Sequence, residues 1–168
     1  MIKYKIKNNF LPDDEFKKLF VLLNSPDFPW YFHNTTTQID SPVPYFCHGL
    51  YNFDVPKSSF YREVAGPIIT KIPMYSLLRC KGNLYSKTGQ PTASDKHVDM
   101  EFPHTTAIFF INTNNGFTVL SGDEEVKVES VENRLLTFDG FTPHYFITQT
   151  DSPVRININI NYLYESKI

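Results

Sequence analysis

Three residues with metal-binding side chains, His97, Asp99 and His144, give the clearest indication of chemistry in the sequence. His97 and Asp99 are two positions apart, and residues with that spacing in a β-strand point to the same face. One imidazole nitrogen and one carboxylate oxygen could therefore bind a single ion. His144 follows a predicted strand and a turn at 139–143, and it supplies a third ligand. Two histidines and one carboxylate leave part of an octahedral shell open, as in the facial triad of non-haem Fe(II) sites.

The segment 154–162 alternates strictly between apolar and polar residues, which predicts a β-strand. Its polar face carries Arg155, Asn157, Asn159 and Asn161 and has no Lys, Glu or Asp. That composition is unusual for a solvent-exposed strand face and favours the wall of a polar pocket. Arg155 could bind a carboxylate there through a forked pair of hydrogen bonds. The alternative is a salt bridge of Arg155 on an exposed strand face.

The remaining elements predict a mainly β protein with supporting α-helices, built as a double-stranded β-helix (jelly roll). Helical patterns cover 12–24 and 58–72, with Pro67 as a boundary or kink. Between them we predict a strand at 30–39 and a loop at 40–56. The other predicted strands are 2–6, 75–80, 83–87, 96–101, 106–111, 116–120, 124–128, 134–138, 144–147 and 154–164. We predict one domain over 1–168, with supporting helices at about 12–72 and the jelly-roll core at about 74–164.

Composition restricts the class of protein. The 168 residues include 16 Lys and Arg against 18 Asp and Glu, for a net charge of -2. This balance argues against a general binder of the phosphate backbone of nucleic acids, which normally has a basic excess. Cys47 and Cys80 are too few for a disulfide framework and predict reduced thiols. The absence of a signal-peptide pattern and of a long apolar run predicts a cytoplasmic location and no membrane association.

The spacing of these motifs resembles that of the 2-oxoglutarate/Fe(II)-dependent dioxygenase superfamily. A His lies 45 positions after the Asp of the HxD motif, and an Arg lies 11 positions after that His. The segment 77–162 looks most like the prolyl-4-hydroxylase-like branch, whose short stand-alone members occur in bacteria and phages. The segments 105–118 and 133–138 resemble strands of that branch between the HxD motif and the distal His. The branch usually has Lys where this chain has Arg155, and Arg is common at this place in other branches of the superfamily.

The resemblance implies a set of functional residues. Three of them would bind Fe(II), namely His97, Asp99 and His144. Arg155 would bind the distal carboxylate of the co-substrate 2-oxoglutarate. Asn157 is a candidate contact of the same co-substrate because it shares the face of Arg155. Asn83 and Tyr85, on the strand before the HxD motif, are further candidates for this pocket.

The implied reaction is hydroxylation of a C–H bond with O₂, coupled to decarboxylation of 2-oxoglutarate to succinate and CO₂. Related halogenases have a small residue in place of the carboxylate ligand, so Asp99 favours hydroxylation. Peptidyl proline or another peptide side chain is the first substrate expected, and a small metabolite is the second. Superfamily members that act on nucleic acids usually carry a second Arg six residues after the first. This chain has Asn161 at that position, which disfavours a nucleic-acid substrate.

Two other functions are compatible with parts of the pattern. A cupin-like metalloprotein that does not use 2-oxoglutarate would share the jelly roll, although cupins usually have more His ligands and need no inward Arg. A non-catalytic jelly-roll binding module would bind no metal. The other histidines, His33, His48 and His104, are expected to be structural. A phage-encoded protein of this kind would act in the host cytoplasm, and the sequence does not indicate an oligomeric state.

Overall fold

Two antiparallel sheets and three helices make up the parts of the chain that the structure, a computed structural model, describes, namely residues 1–34 and 43–164. The elements in chain order are β1 (Tyr4–Lys7), α1 (Asp13–Leu23), β2 (Tyr31–His33), β3 (Tyr45–Asn52), β4 (Val55–Pro56), α2 (Tyr61–Val64), α3 (Gly66–Ile69), β5 (Ser76–Ser86), β6 (Thr105–Phe110), β7 (Asn114–Leu120), β8 (Val126–Ser130), β9 (Arg134–Asp139), β10 (His144–Ile147) and β11 (Val154–Leu163). No described helix is long and apolar enough to cross a membrane.

The larger sheet has the strand order β1-β9-β6-β11-β5-β3-β2, with β4 paired to β3, and the smaller sheet has the order β10-β7-β8. A cluster of apolar side chains from β6 and β9 packs against side chains from β7 and β8, so the two sheets face each other. The prediction of a mainly β jelly roll is confirmed. The polar pocket described below also lies between these sheets and includes side chains from both.

Strand β11 lies at the centre of the large sheet, between β5 and β6. One of its faces points to the helices and the other to the second sheet. Its alternating isoleucines, Ile156, Ile158 and Ile160, are at most 1 % exposed and pack in the same cluster as side chains of the helices. Each such side chain stabilises the fold by about 1.5–3 kcal/mol relative to exposure. Its polar residues point to the opposite face, toward the second sheet, as the alternation predicts.

Two predictions about the first half of the large sheet were wrong. The predicted loop at 40–56 contains β3, which has no proline between Tyr45 and Asn52 and pairs with β5 along most of its length. The two strands predicted at 75–80 and 83–87 form the single strand β5. Gly82 does not turn the chain there. An added Cβ at Gly82 would come within 3.1 Å of the Trp30 ring, so this position allows close packing instead.

Two other elements also differ from their predictions. The helix predicted at 58–72 is divided into α2 and α3, because Pro67 in the first turn of α3 cannot continue a preceding helix. The strand predicted at 96–101 is an irregular segment with a single bridge between His97 and His144. The strand predicted at 30–39 begins as β2 at Tyr31, and the rest of that prediction falls largely outside the described residues.

Candidate active site

The three predicted metal ligands lie together at one end of the space between the sheets. One potential ligand atom from each of His97, Asp99 and His144 lies within 4.8 Å of the other two. His144 begins β10, and His97 reaches it through the isolated bridge, with His97 N donating to His144 O over 3.0 Å and His144 N donating to His97 O over 2.8 Å. The backbone thus sets the two imidazoles side by side, with ring centroids 4.6 Å apart.

Each imidazole is oriented by a backbone carbonyl. His97 Nδ1 lies 3.1 Å from Asp95 O, and His144 Nδ1 lies 3.2 Å from Thr142 O. A carbonyl can only accept, so each Nδ1 carries a proton, and Nε2 is the nitrogen left for a metal. This is the tautomer in which Nε2 binds a metal. Burial lowers the pKa of His144 to about 4, against the opposing charge of Asp99, so this imidazole is neutral at pH 7.

The carboxylate of Asp99 is held by three side chains from the large sheet. Arg79 Nη2 donates to Oδ1 over 2.6 Å, while Asn161 and Asn159 donate to Oδ2 over 2.9 and 3.2 Å. Oδ2 is also the oxygen 3.8 Å from His144 Nε2. Burial alone would raise the pKa of Asp99, but Arg79 and His144 hold it well below its usual range. The carboxylate is therefore ionised and has one oxygen directed at the histidines.

Arg155 lies deep in the same pocket and is 1 % exposed. Its Nε donates to Ser130 Oγ over 2.8 Å and its Nη2 donates to Thr118 Oγ1 over 2.9 Å. Its Nη1 is buried and has no hydrogen-bond partner among the described residues, and no described carboxylate lies within ion-pair distance. Burial lowers the pKa of Arg155 to about 10, so the guanidinium remains charged at pH 7. An unpaired buried charge is costly, and a bound anion would compensate it.

All seven predicted site residues line one small pocket with a cavity volume of about 50 Å³. Asn83 Nδ2 donates to Asn157 Oδ1 over 3.0 Å, and Asn83 Oδ1 is buried without a partner among the described residues. Tyr85 packs against Phe146 and beneath the Arg155 guanidinium, with centroid distances of 4.2 and 5.6 Å respectively. The structure therefore brings together the predicted metal ligands and the predicted co-substrate contacts.

Comparison with solved structures identifies the fold. A prolyl-4-hydroxylase from Pseudomonas putida matches with a TM-score of 0.67 at 11% identity, covering 97% of this chain and 94% of that one. A prolyl hydroxylase from Trichoplax adhaerens, in complex with a hypoxia-inducible-factor peptide, matches with a TM-score of 0.71 at 14% identity, covering 95% and 83%. The chain has the 2-oxoglutarate/Fe(II) oxygenase fold. HygX from Streptomyces hygroscopicus, with nickel and 2-oxoglutarate bound, matches with a TM-score of 0.61 at 10% identity, covering 97% and 83%.

Comparison of sequences finds no match. No family model matches the chain, and no curated protein matches it either. At 10–14% identity to the three structures above, the likeness to the oxygenase fold is one of architecture.

Within this oxygenase fold, two important residues at or beside the pocket were not predicted. Lys81 lines the pocket and Arg79 pairs with Asp99, and both are in register with Asn83 and Tyr85 on β5. The period-2 pattern Arg79, Lys81, Asn83 and Tyr85 would have indicated them if 76–86 had been predicted as one strand. Asn159 was placed on the polar face but not assigned a role.

The histidines predicted to be structural lie outside the lining of this pocket. His48 bonds to Pro29 O and Ser58 Oγ at 2.6 and 2.7 Å, so both its ring nitrogens are satisfied. His104 is likewise bonded to Phe102 O and Thr106 Oγ1. His33 is exposed on β2. Cys47 and Cys80 are free thiols, as predicted.

Proposed function

We propose that this protein is an Fe(II)- and 2-oxoglutarate-dependent oxygenase that hydroxylates a C–H bond of its substrate. The observation that carries the proposal is the pairing of a His-Asp-His cluster with a buried, unpaired arginine at the other end of the same pocket. A cupin-like metal site would explain the cluster but would leave Arg155 Nη1 without a purpose.

The residues fit the metal and the co-substrate that the proposal requires. Two imidazoles and one carboxylate would hold Fe(II) through nitrogen and oxygen and leave coordination positions open. Arg155 would pair with the distal carboxylate of 2-oxoglutarate, and its free Nη1 would gain an acceptor. When bound, Fe(II) would activate O₂, and 2-oxoglutarate would supply two of the electrons that reduce it and leave as succinate and CO₂.

The protein's own contribution is to orient these groups and to exclude water. Asp95 O and Thr142 O fix the two imidazoles, and Arg79 with the two asparagines fixes the Asp99 carboxylate. Tyr85, Phe110 and Phe146 surround the Arg155 guanidinium at 5.6–5.9 Å, which keeps the distal end of the pocket dry and strengthens a charged pair there.

For the substrate we propose a peptide side chain, with peptidyl proline first, or else a small metabolite. The similarity to a prolyl hydroxylase in complex with a peptide supports the first class. Asn161 donates to Asp99 Oδ2, and this side chain occupies the position of the second arginine typical of nucleic-acid demethylases. The neutral Asn161 in place of that arginine argues against a nucleic-acid substrate.

The test is anaerobic titration of the metal-free protein with Fe(II) and then with 2-oxoglutarate, recorded in the visible range. We expect a charge-transfer band that requires both additions, followed by succinate formation when O₂ is admitted. Binding of Fe(II) without any band on addition of 2-oxoglutarate would favour the cupin-like alternative. Absence of metal binding would favour a non-catalytic module.

A further inference from the structure

Lys81 is a pocket residue to which neither the metal nor the distal carboxylate gives a role. It lies on β5 between Arg79 and Asn83, on the same face, and it is half-buried. Its Nζ lies 5.8 Å from the centroid of the Tyr45 ring. Arg79 is paired with Asp99, whereas no described carboxylate lies within 4.0 Å of Lys81 Nζ.

The charges of the pocket are unbalanced in the positive direction. Its described lining has two basic side chains, Lys81 and Arg155, and one carboxylate, Asp99. Asp99 already has Arg79 as a partner at 2.6 Å, so it is not free to neutralise a second cation. Burial and the nearby charge of Arg79 lower the pKa of Lys81, against the opposing charge of Asp99, so a bound anion would stabilise the ammonium form. A divalent metal ion at the His-Asp-His cluster would increase the positive excess.

The two cations belong to different parts of the pocket. In the β5–β11 ladder, Arg155 is opposite Tyr85, and Lys81 is opposite Asn159. Tyr85 and Lys81 are four positions apart on β5, which corresponds to roughly 13 Å along the strand. Asn159 donates to Asp99 Oδ2, so the backbone of Lys81 is level with the metal cluster rather than with Arg155. A carboxylate bound by Arg155 therefore leaves Lys81 available for another.

We propose that Lys81 binds a second carboxylate at the end of the pocket near Asp99. This inference rests on the proposed function, because that function defines the ligands that enter the pocket. The carboxylate has two sources: the C1 group of 2-oxoglutarate, which lies next to its keto group, or a carboxylate on the molecule that is hydroxylated. In both cases the ammonium donates charge-assisted hydrogen bonds, and the bound anion offsets the positive excess.

The experiment separates the two carboxylates of the co-substrate by comparing 2-oxoglutarate with 2-oxopentanoate, which lacks the distal carboxylate. Anaerobic Fe(II)-loaded protein is titrated with each acid, and the dissociation constant is taken from the visible band. We expect Lys81→Met to weaken binding of both acids by about tenfold or more. Arg155→Met should weaken binding of 2-oxoglutarate much more than binding of 2-oxopentanoate. Lys81→Arg, which keeps the charge, should restore most of the affinity.

A second arm tests the other source. Protein saturated with Fe(II) and 2-oxoglutarate is titrated with acetate, and with acetamide as its uncharged analogue, at constant ionic strength. If Lys81→Met leaves the oxo-acid affinities unchanged, but acetate alters the band of the wild type and not of the variant, the carboxylate belongs to the hydroxylated substrate.

The control variant is Lys7→Met. Lys7 Nζ also lies over an aromatic ring, 5.2 Å from the Phe10 centroid, but outside this pocket. It should change neither titration. If Lys81→Met matches the wild type in both arms while the band itself is normal, the inference is overturned and the proposed function stands. If the wild type gives no band with Fe(II) and 2-oxoglutarate, the proposed function fails, and the inference fails with it.

Discussion

Arg79 and Asp99 form an ion pair of 2.6 Å although they lie 20 positions apart, and the pair connects the irregular segment after β5 to the large sheet. The guanidinium takes Oδ1 and leaves Oδ2 directed toward His144. The two oxygens of the Asp99 carboxylate therefore have different contacts. Oδ1 is engaged by Arg79, whereas Oδ2 accepts from Asn159 and Asn161 and is the oxygen that faces His144.

Replacement of Arg79 should therefore weaken metal binding without removing a ligand. Arg79→Gln should lower Mn(II) affinity by about 10- to 100-fold, the usual effect of losing a partner of a metal ligand. Isothermal titration of the metal-free protein measures it. Lys71→Gln is the matched control, because it removes an ion pair with Glu15 of 3.2 Å that lies outside the pocket. Equal Mn(II) affinity in both variants would mean that Arg79 does not position Asp99.

Removal of any one predicted ligand should abolish tight metal binding. His97→Ala, Asp99→Ala and His144→Ala each leave only two protein ligands from the cluster. Equilibrium dialysis with Fe(II) under anaerobic conditions measures the metal content. His33→Ala should bind metal like the wild type, since this exposed histidine lies on β2. Retention of stoichiometric Fe(II) by Asp99→Ala would refute the assignment of the carboxylate ligand.

Because Arg155 is predicted to bind 2-oxoglutarate, this ligand should raise the thermal stability of the wild type but not of a variant that lacks the guanidinium. A ligand that binds only the folded state raises the melting temperature, and the increase follows its affinity. Loss of the charged pair costs about 2–5 kcal/mol, or roughly 30- to several-thousand-fold in affinity. We expect 2-oxoglutarate with Mn(II) to raise the melting temperature of the wild type and to have little effect on Arg155→Met. The Mn(II) affinity of this variant should stay near normal. An equal shift in both proteins would place the distal carboxylate elsewhere.

Gly116 should be intolerant of a side chain because of its contact with Arg155. An added Cβ would lie 2.9 Å from the backbone oxygen of Ile147 and 3.2 Å from Arg155 Cδ. The backbone oxygen cannot give way, so Gly116→Ala should lower the free energy of unfolding by about 1–3 kcal/mol. It should also weaken 2-oxoglutarate binding, because the guanidinium is displaced. Urea denaturation and the visible titration measure the two effects.

Gly89→Ala is the matched control for that substitution, because nothing lies within 4 Å of the added Cβ. It should leave both the stability and the titration near those of the wild type. If Gly116→Ala has the stability and the 2-oxoglutarate titration of the wild type, the backbone around Ile147 can shift to accommodate the added methyl group, and the prediction is wrong.

The sequence was most informative where apolar and polar residues alternate regularly and the two kinds of side chain lie on opposite faces of one element. Strand β11 was predicted with its correct faces, because the alternation of isoleucine with Arg and Asn follows the period of a strand directly. The apolar face packs with the helices and the polar face lines the pocket, as that pattern indicates. The spacing of His97 and Asp99, together with the resemblance to the oxygenase superfamily, then distinguished His97, Asp99 and His144 from the other histidines and carboxylates of the chain.

The parts that escaped prediction depend on contacts between distant segments. Strand β3 is stabilised by pairing with β5, and its own sequence gives no clear strand pattern. Lys81 and Gly82 resemble a break between two strands, but packing of Trp30 over Gly82 keeps β5 continuous. That single error concealed Arg79 and Lys81, because their shared face is visible only in the unbroken strand. The prediction of one domain over 1–168 stays a prediction.

The polar wall of β11 consists of carboxamides apart from Arg155. Asn157, Asn159 and Asn161 are all buried, and an amide side chain neither gains nor loses a proton between acidic and alkaline conditions. A wall of aspartates would have changed its charge as the cell's acidity changed, and it would have competed with the metal cluster for cations. With amides the wall itself keeps the same charge as pH varies, so a pH dependence of anion binding would come from other groups of the pocket, such as Lys81.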